Sequence, residues 1–293
     1  YRGVIKNHLK PNLGAVRLCD LTTEQVQKMV RKLVKAKLAP KTIKNIMTVL
    51  NSALEQAVKA QTLQRNPAKY AKIPAVRVKE IHTFTIQEIA DFVDAAQDSP
   101  YYAPLMCCLF LGLREGEALG LAWEHVNFEN GNVLICQQLQ KEKSKGGKFY
   151  IQEGTKNGQN RVLDVPDFLL EILKDEKQHQ LLAHLSAGPA WQNVWGLCFT
   201  DALGQCINPH TLWINFKRIA ASIGLPDARV HDLRHTNATL ALVNGDDLKT
   251  VQANLGHATA AFTLQRYVHA SEAMKRASAN RMQQFFDDNV KKA

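Results

Sequence analysis

Guanidinium, imidazole, ammonium and phenol side chains stand in a few short segments of this chain, at spacings that let them act together. Gly112-Leu113-Arg114-Glu115-Gly116-Glu117 sets Arg114 and Glu117 three apart, neighbours on a helix, so that the carboxylate can hold the guanidinium in place. Lys156 lies in Thr155-Lys156-Asn157-Gly158, a turn from which a long side chain reaches outward. His231 and Arg234 are also three apart, at the start of a helix and aimed to one side. Leu255-Gly256 closes another helix, His257 follows in the turn, and Tyr267 comes ten residues later. Guanidiniums bind oxyanions, imidazoles and ammoniums move protons, and a phenol attacks once its proton is taken. Singly, each has an ordinary reading. An Arg-x-x-Glu pair is more often a surface salt bridge, a tyrosine on an amphipathic helix is usually core or rim, and a lysine in a hairpin is common at sheet edges.

The elements that must position these groups follow from periodicity. Thr85 with Glu88 three later starts a helix running to Ala96, and 101–113 reads as a buried helix. A β-rich stretch covers 132–138, 149–153 and 161–165, with Asn157-Gly158 as the tight turn of a hairpin between the last two. After Pro166 the pattern is mostly helical. Upstream, Thr22 and Gln25 have capping-box spacing ahead of Val26, Met29, Val30, Leu33 and Val34; a turn at Pro40 precedes a second stripe from Ile43 to Val58. Lys28, Arg31, Lys32 and Lys35 occupy the opposite side of the first helix, while Lys37, Lys41 and Lys44 cluster at the turn. The expected organisation is a small helical domain over 1–75, a linker over 76–82 around Ile73-Pro74, and a second domain over 83–293 with a tail from 271.

The charge is distributed unevenly. Of 293 residues, 37 are Lys or Arg and 27 Asp or Glu, a net +10. Residues 1–75 hold 15 basic and 3 acidic residues, a balance of +12, and the remainder is close to neutral at −2. That asymmetry points to nucleic acid or an anionic membrane surface, the bland reading being a solvated basic face. A hydrophobic content of 45% fits a globular protein rather than a disordered one. The apolar run 101–113 is shorter than the ~18 residues a membrane span needs. The six cysteines, Cys19, Cys107, Cys108, Cys136, Cys198 and Cys206, lack metal-site spacing and read as reduced thiols of a cytosolic protein.

The order of these segments resembles the tyrosine recombinase, or phage integrase, family. GLREGEALGLAW (112–123), HDLRHTNAT (231–239), LGHAT (255–259) and QRYVHA (265–270) stand where the family places its motifs, and TKNGQNRVLDVP (155–166) resembles its catalytic-lysine hairpin. The stretch from His8 to Ala68 is similar to the family's helical core-binding domain, and the finer resemblance is to integrases of conjugative transposons and Gram-positive phages. Those carry a further N-terminal arm-binding domain, so the start at Tyr1 is expected to be a truncation.

The resemblance implies a mainly α fold with a small antiparallel β-sheet, a SAM-like core-binding domain joined to a mixed α/β catalytic domain. It implies a site-specific DNA recombinase that cuts and rejoins strands through a 3′-phosphotyrosyl ester and a Holliday junction. Tyr267 is then the nucleophile, Arg114 and Arg234 clamp the phosphate, and His257 donates a hydrogen bond. Lys156 protonates the leaving 5′-oxygen, His231 exchanges a proton with the tyrosine or positions the phosphate, and Glu117 orients Arg114 or His231. No metal, nucleotide or other cofactor enters the scheme. The implied partners are attachment-site duplexes, with Lys28, Arg31, Lys32, Lys35, Lys41 and Lys44 on the backbone, three further copies of the chain exchanging the tail 271–293, and an excisionase. The implied location is the bacterial cytoplasm, on the nucleoid when bound, with no membrane partner. Asn237 departs from the family, which often has an aromatic residue there, and His235 and His269 read as structural histidines. The rival readings are an inactive DNA-binding architectural protein of the same fold and a hydrolytic nuclease. The full set of reactive residues argues against the first, and the lack of a carboxylate cluster for metal argues against the second.

Overall fold

The computed structural model describes residues 1–76, 82–142, 144, 146–154, 160–256 and 282–283. The chain divides into two compact units, 1–80 and 81–293. The expected linker falls, apart from residues 76 and 82, outside the described residues.

The first unit is helical. It opens with α1 (Arg2–Val4), one wider π-type stretch (Ile5–Leu9) and α2 (Lys10–Leu13), a helical run that the apolar spacing did not announce. Then come α3 (Thr23–Lys35) and α4 (Pro40–Lys59). The Thr22 side chain accepts from the Gln25 N–H while Gln25 accepts from the Thr22 N–H, the reciprocal cap its spacing calls for. Val26, Met29, Val30 and Leu33 of α3 close on Ile43, Ile46, Met47, Leu50 and Leu54 of α4, and Val4, Leu9 and Leu13 of the opening run cover that core. Buried Asn66 ties the end of the unit to α4, donating to Asn51 Oδ1 (2.6 Å) and Glu55 Oε1 (2.7 Å).

In the second unit Thr85 and Glu88 cap α5 (Ile86–Ala96), and α6 (Tyr102–Phe110) is buried along nearly its whole length. The helix expected over 101–113 stops three residues early, because Gly112 takes a left-handed conformation (φ +62°). Next follow α7 (Glu115–Leu119), β1 (Val126–Asn127), β2 (Asn132–Ile135), β3 (Gln137–Lys141), β4 (Phe149–Glu153) and β5 (Arg161–Asp164). Then, among the described residues, come α8 (Asp167–Ala187), α9 (Pro209–Ser222), α10 (Val230–Val243) and α11 (Leu248–Leu255). The architecture is mainly α with small antiparallel sheets, as the sequence implied.

The strands correct one expectation. The stretch 132–138 breaks at Cys136, and 149–153 does not pair with 161–165 among the described residues. Instead β4 pairs with β3, Glu153 opposite Gln137, and β5 pairs with β2, Arg161 opposite Ile135. The two pairings thus end and begin only two residues apart on the partner stretch, at Gln137 and Ile135, and the Gly154 N–H donates to the Cys136 carbonyl at the break (2.6 Å). A single apolar alternation cannot reveal which partner each half-strand takes. Around the sheets, Phe92, Leu105, Met106, Leu109, Leu119, Val133, Leu169, Phe199, Phe216 and Leu233 form one core. Cys107, Cys108 and Cys198 are buried within it, and burial pushes the Cys107 thiol up to about 12. No helix among the described residues is long and apolar enough to cross a membrane.

Candidate active site

Glu117 is the centre of the site. It is buried (1% exposed) at the third position of α7, and Arg114 is the residue that caps that helix rather than one inside it. Glu117 Oε2 accepts from the Arg114 backbone N–H (3.0 Å) and Oε1 from Arg114 Nη1 (2.5 Å). Arg161, the first residue of β5, donates from Nη2 to Oε2 (2.7 Å) and from Nη1 to Oε1 (3.3 Å). Arg234, in the second turn of α10, brings Nη1 to 3.8 Å from Oε2. Three guanidiniums on one carboxylate leave a surplus of two positive charges, which suits an anion. Burial by itself would raise the pKa of Glu117. The hydrogen bonds and charge of Arg161, then those of Arg114, outweigh burial and hold it down to about 2.

The same three arginines receive the end of α11. Arg161 Nε donates to the Asn254 carbonyl (2.7 Å), Arg234 Nη2 to that of Leu255, and Arg114 Nη2 to that of Gly256 (3.1 Å). Carbonyls at a helix C-terminus have no partner within the helix and carry partial negative charge, so cations there are favourable. Asp247 caps the start of α11, and Gly256 ends it in the left-handed conformation (φ +60°), as Leu255-Gly256 suggested. Arg234 also donates to the Gly112 carbonyl (2.5 Å) and is nearly enclosed, its side chain 2% exposed; that of Arg114 is 20% exposed and is the more open of the two.

His231 stands one turn before His235 on α10, their rings edge to face with centroids 4.6 Å apart. Desolvation by the surrounding protein, then the charges of Arg234 and Arg114, hold the His231 pKa below its ordinary value. The imidazole is therefore neutral near pH 7 and able to accept a proton. Asn237, which departs from the family pattern, has a local reason: its Nδ2 donates to the Phe110 carbonyl at the end of α6 (3.0 Å).

A model of the phage integrase family matches residues 79–274, about two thirds of the chain. The chain belongs to the phage integrase family. It is a site-specific tyrosine recombinase, a DNA strand transferase of the kind carried by mobile elements. A XerC-like tyrosine recombinase of Caldanaerobacter subterraneus is 29% identical over 98% of this chain and 77% of its own length. The ICEBs1 integrase of Bacillus subtilis is 24% identical over 95% and 75%. Among solved structures, the Tn1549 transposon integrase in complex with a circular intermediate DNA superposes with a TM-score of 0.79 at 19% identity, over 96% of this chain and 92% of that one. Lambda integrase as a dimer on a core site gives 0.68 at 17%, over 91% and 86%.

Of the residues that sequence reasoning assigned to this recombinase, Arg114, Glu117, His231 and Arg234 are described; the first two and Arg234 converge directly. Lys156, His257 and Tyr267 lie outside the described residues, as does the tail apart from 282–283. Arg161 was missed, although it sits five positions after Lys156 in a quoted motif. A cation heading a strand next to a motif lysine was the available signal. In the first unit, Lys28, Arg31, Lys32 and Lys35 on α3 and Lys41 and Lys44 on α4 are all exposed, and none pairs with an acid among the described residues.

Proposed function

We propose that this recombinase cleaves its attachment site with Tyr267 as nucleophile, aided by Arg114, Lys156, His231, Arg234 and His257. The tyrosine oxygen bonds to phosphorus as the bond from phosphorus to the 5′-oxygen breaks, leaving a 3′-phosphotyrosyl ester and a free 5′-hydroxyl. A phenol with a pKa near ~10 is almost wholly protonated at neutral pH, so its proton passes to a base, and the lowered pKa of His231 supports that residue. Lys156 gives a proton to the departing oxygen. Because the ester conserves the energy of the broken bond, strands rejoin through a Holliday junction with no metal or nucleotide assigned a role.

The observation that carries this reading is the pairing of Arg114 and Arg234 on one buried carboxylate, with His231 one turn from Arg234. Two fixed guanidiniums with surplus charge match the non-bridging oxygens of a phosphate in transfer. Arg114, the more open, makes the first contact. His257 directly follows Gly256, whose carbonyl Arg114 binds. The basic face of the first unit is assigned to the DNA backbone. Assembly as a tetramer with exchanged tails, an excisionase partner and a place in the cytoplasm complete the reading.

The test is covalent trapping. The full chain incubated with a nicked attachment-site duplex yields an adduct that survives denaturation, and Tyr267→Phe yields none. An adduct that persists in Tyr267→Phe, or none in the parent, overturns the assignment.

A further inference from the structure

We infer that Arg161 is a positioning residue for strand cleavage, clasping the strand that follows the Lys156 segment to the end of α11 that precedes His257. This rests on the reading of Arg114 and Arg234 as the phosphate clamp. The register Arg161 opposite Ile135 fixes its backbone at the start of β5, five residues after Lys156 in the sequence. From there its guanidinium bridges two elements: Nη1 and Nη2 on Glu117 of α7 (3.3 and 2.7 Å) and Nε on the Asn254 carbonyl of α11 (2.7 Å). The side chain is 8% exposed, so it serves DNA only through the groups it holds.

Its position makes it the link among three catalytic segments. Glu117, which Arg161 grips with both terminal nitrogens, in turn grips Arg114 and faces Arg234. Asn254, Leu255 and Gly256 give successive carbonyls to Arg161, Arg234 and Arg114, so the three guanidiniums hold the end of α11, the residues that immediately precede His257 in the sequence. The fit is close: a Cβ placed on Gly256 would lie 3.2 Å from Arg161 Nη1. Lysine has one point of charge and reaches Glu117 or the Asn254 carbonyl but not both, so only arginine closes the clasp. A small displacement of reacting groups costs on the order of 100-fold in rate.

Arg161→Met, Arg161→Lys and Arg234→Lys are compared with the parent by three measurements: thermal melting, duplex affinity by gel shift, and single-turnover adduct formation on the nicked duplex at saturating protein. Arg161→Met is expected to bind duplex as the parent does and to form adduct on the order of 100-fold more slowly. Arg161→Lys is expected to lie between them, because one of the two contacts is restored. Adduct formation at the parent rate in Arg161→Met overturns the inference, as does a rate loss that only mirrors a loss of folded, DNA-binding protein. Should Arg161→Met fail to fold, Arg161→Lys decides, and a parent-like rate in it overturns the inference. Arg234→Lys separates the two claims. Parent-like cleavage in it sinks the phosphate clamp, whereas slow cleavage in it beside a parent-like Arg161→Met sinks only the clasp.

Discussion

The second unit turns three guanidiniums, of Arg114, Arg161 and Arg234, inward around Glu117 and the last carbonyls of α11, while the first unit spreads Lys28, Arg31, Lys32, Lys35, Lys41 and Lys44 into solvent with no acidic partner among the described residues. Both clusters are cationic, although the second unit as a whole is close to neutral, and the charge acts differently in each. Buried and held by several hydrogen bonds, a guanidinium has a fixed direction and gives geometry to a reaction. Exposed and mobile on its stem, a lysine gives attraction that is long-ranged, insensitive to sequence and weakened by salt. The overall +10 thus conceals a division, for the whole positive surplus lies in the first unit, while the three arginines gathered on Glu117 lie in the nearly neutral second one.

The largest effect expected to break the contrast comes from Glu117. Glu117→Leu leaves Arg114, Arg161 and Arg234 facing one another without the anion that gathers them. Removing one member of a buried charge set costs about 3–5 kcal/mol. Urea denaturation of the second unit measures it, and a loss within 1 kcal/mol of zero would mean that the α11 carbonyls alone suffice. The pH dependence follows in sign. The folded pKa of about 2 lies below the usual carboxylate value, so Glu117 contributes stability that is complete above about pH 4.5 and is lost as pH falls toward 2. The Leu variant lacks that acid-sensitive contribution.

What the sequence made legible divides along the same lines. Thr22 with Gln25, Thr85 with Glu88, and Arg114 with Glu117 are local pairs, and their three-residue spacing dictates the contact. The core stripes of α3 and α4 were equally plain, since helical periodicity leaves little choice of face. Arg161 was not legible in this way because its partners lie 44 and 93 residues away, where no spacing rule operates. The split of 132–141 between two partners escaped for a related reason: strand pairing is a long-range choice. Arg114 to Glu117 suggested one bridge, and only the fold turned it into the hub of three.

A smaller effect sharpens the contrast from the backbone side. Gly112 is left-handed, and a Cβ there would come within 2.6 Å of Leu255 Cδ2 and 2.7 Å of Asn237 Oδ1. Its carbonyl accepts from Arg234, so the turn that ends α6 also orients one guanidinium. Gly112→Ala is expected to cost about 1–3 kcal/mol and to slow adduct formation more than it weakens duplex binding. Equal losses in both would show that the turn serves folding alone. The corresponding change at Gly3, where a Cβ meets nothing within 4 Å, is the neutral comparison in the first unit.

The smallest effects per residue belong to the exposed lysines, and they are read as a slope rather than a rate. If Lys28, Arg31 and Lys44 contact phosphates, each replacement by Gln removes one released counterion, and the plot of log affinity against log salt flattens by about one unit per contact. The rate of adduct formation at saturating protein stays at the parent value, because these side chains attract DNA without shaping the reacting phosphate. Glu117→Leu should do the reverse, leaving the slope alone while cleavage falls. A triple variant with an unchanged slope would return the face of α3 and the α4 turn to a merely solvated surface. One with a flattened slope and slowed saturated cleavage would show that the two kinds of positive charge are less separate than their burial implies.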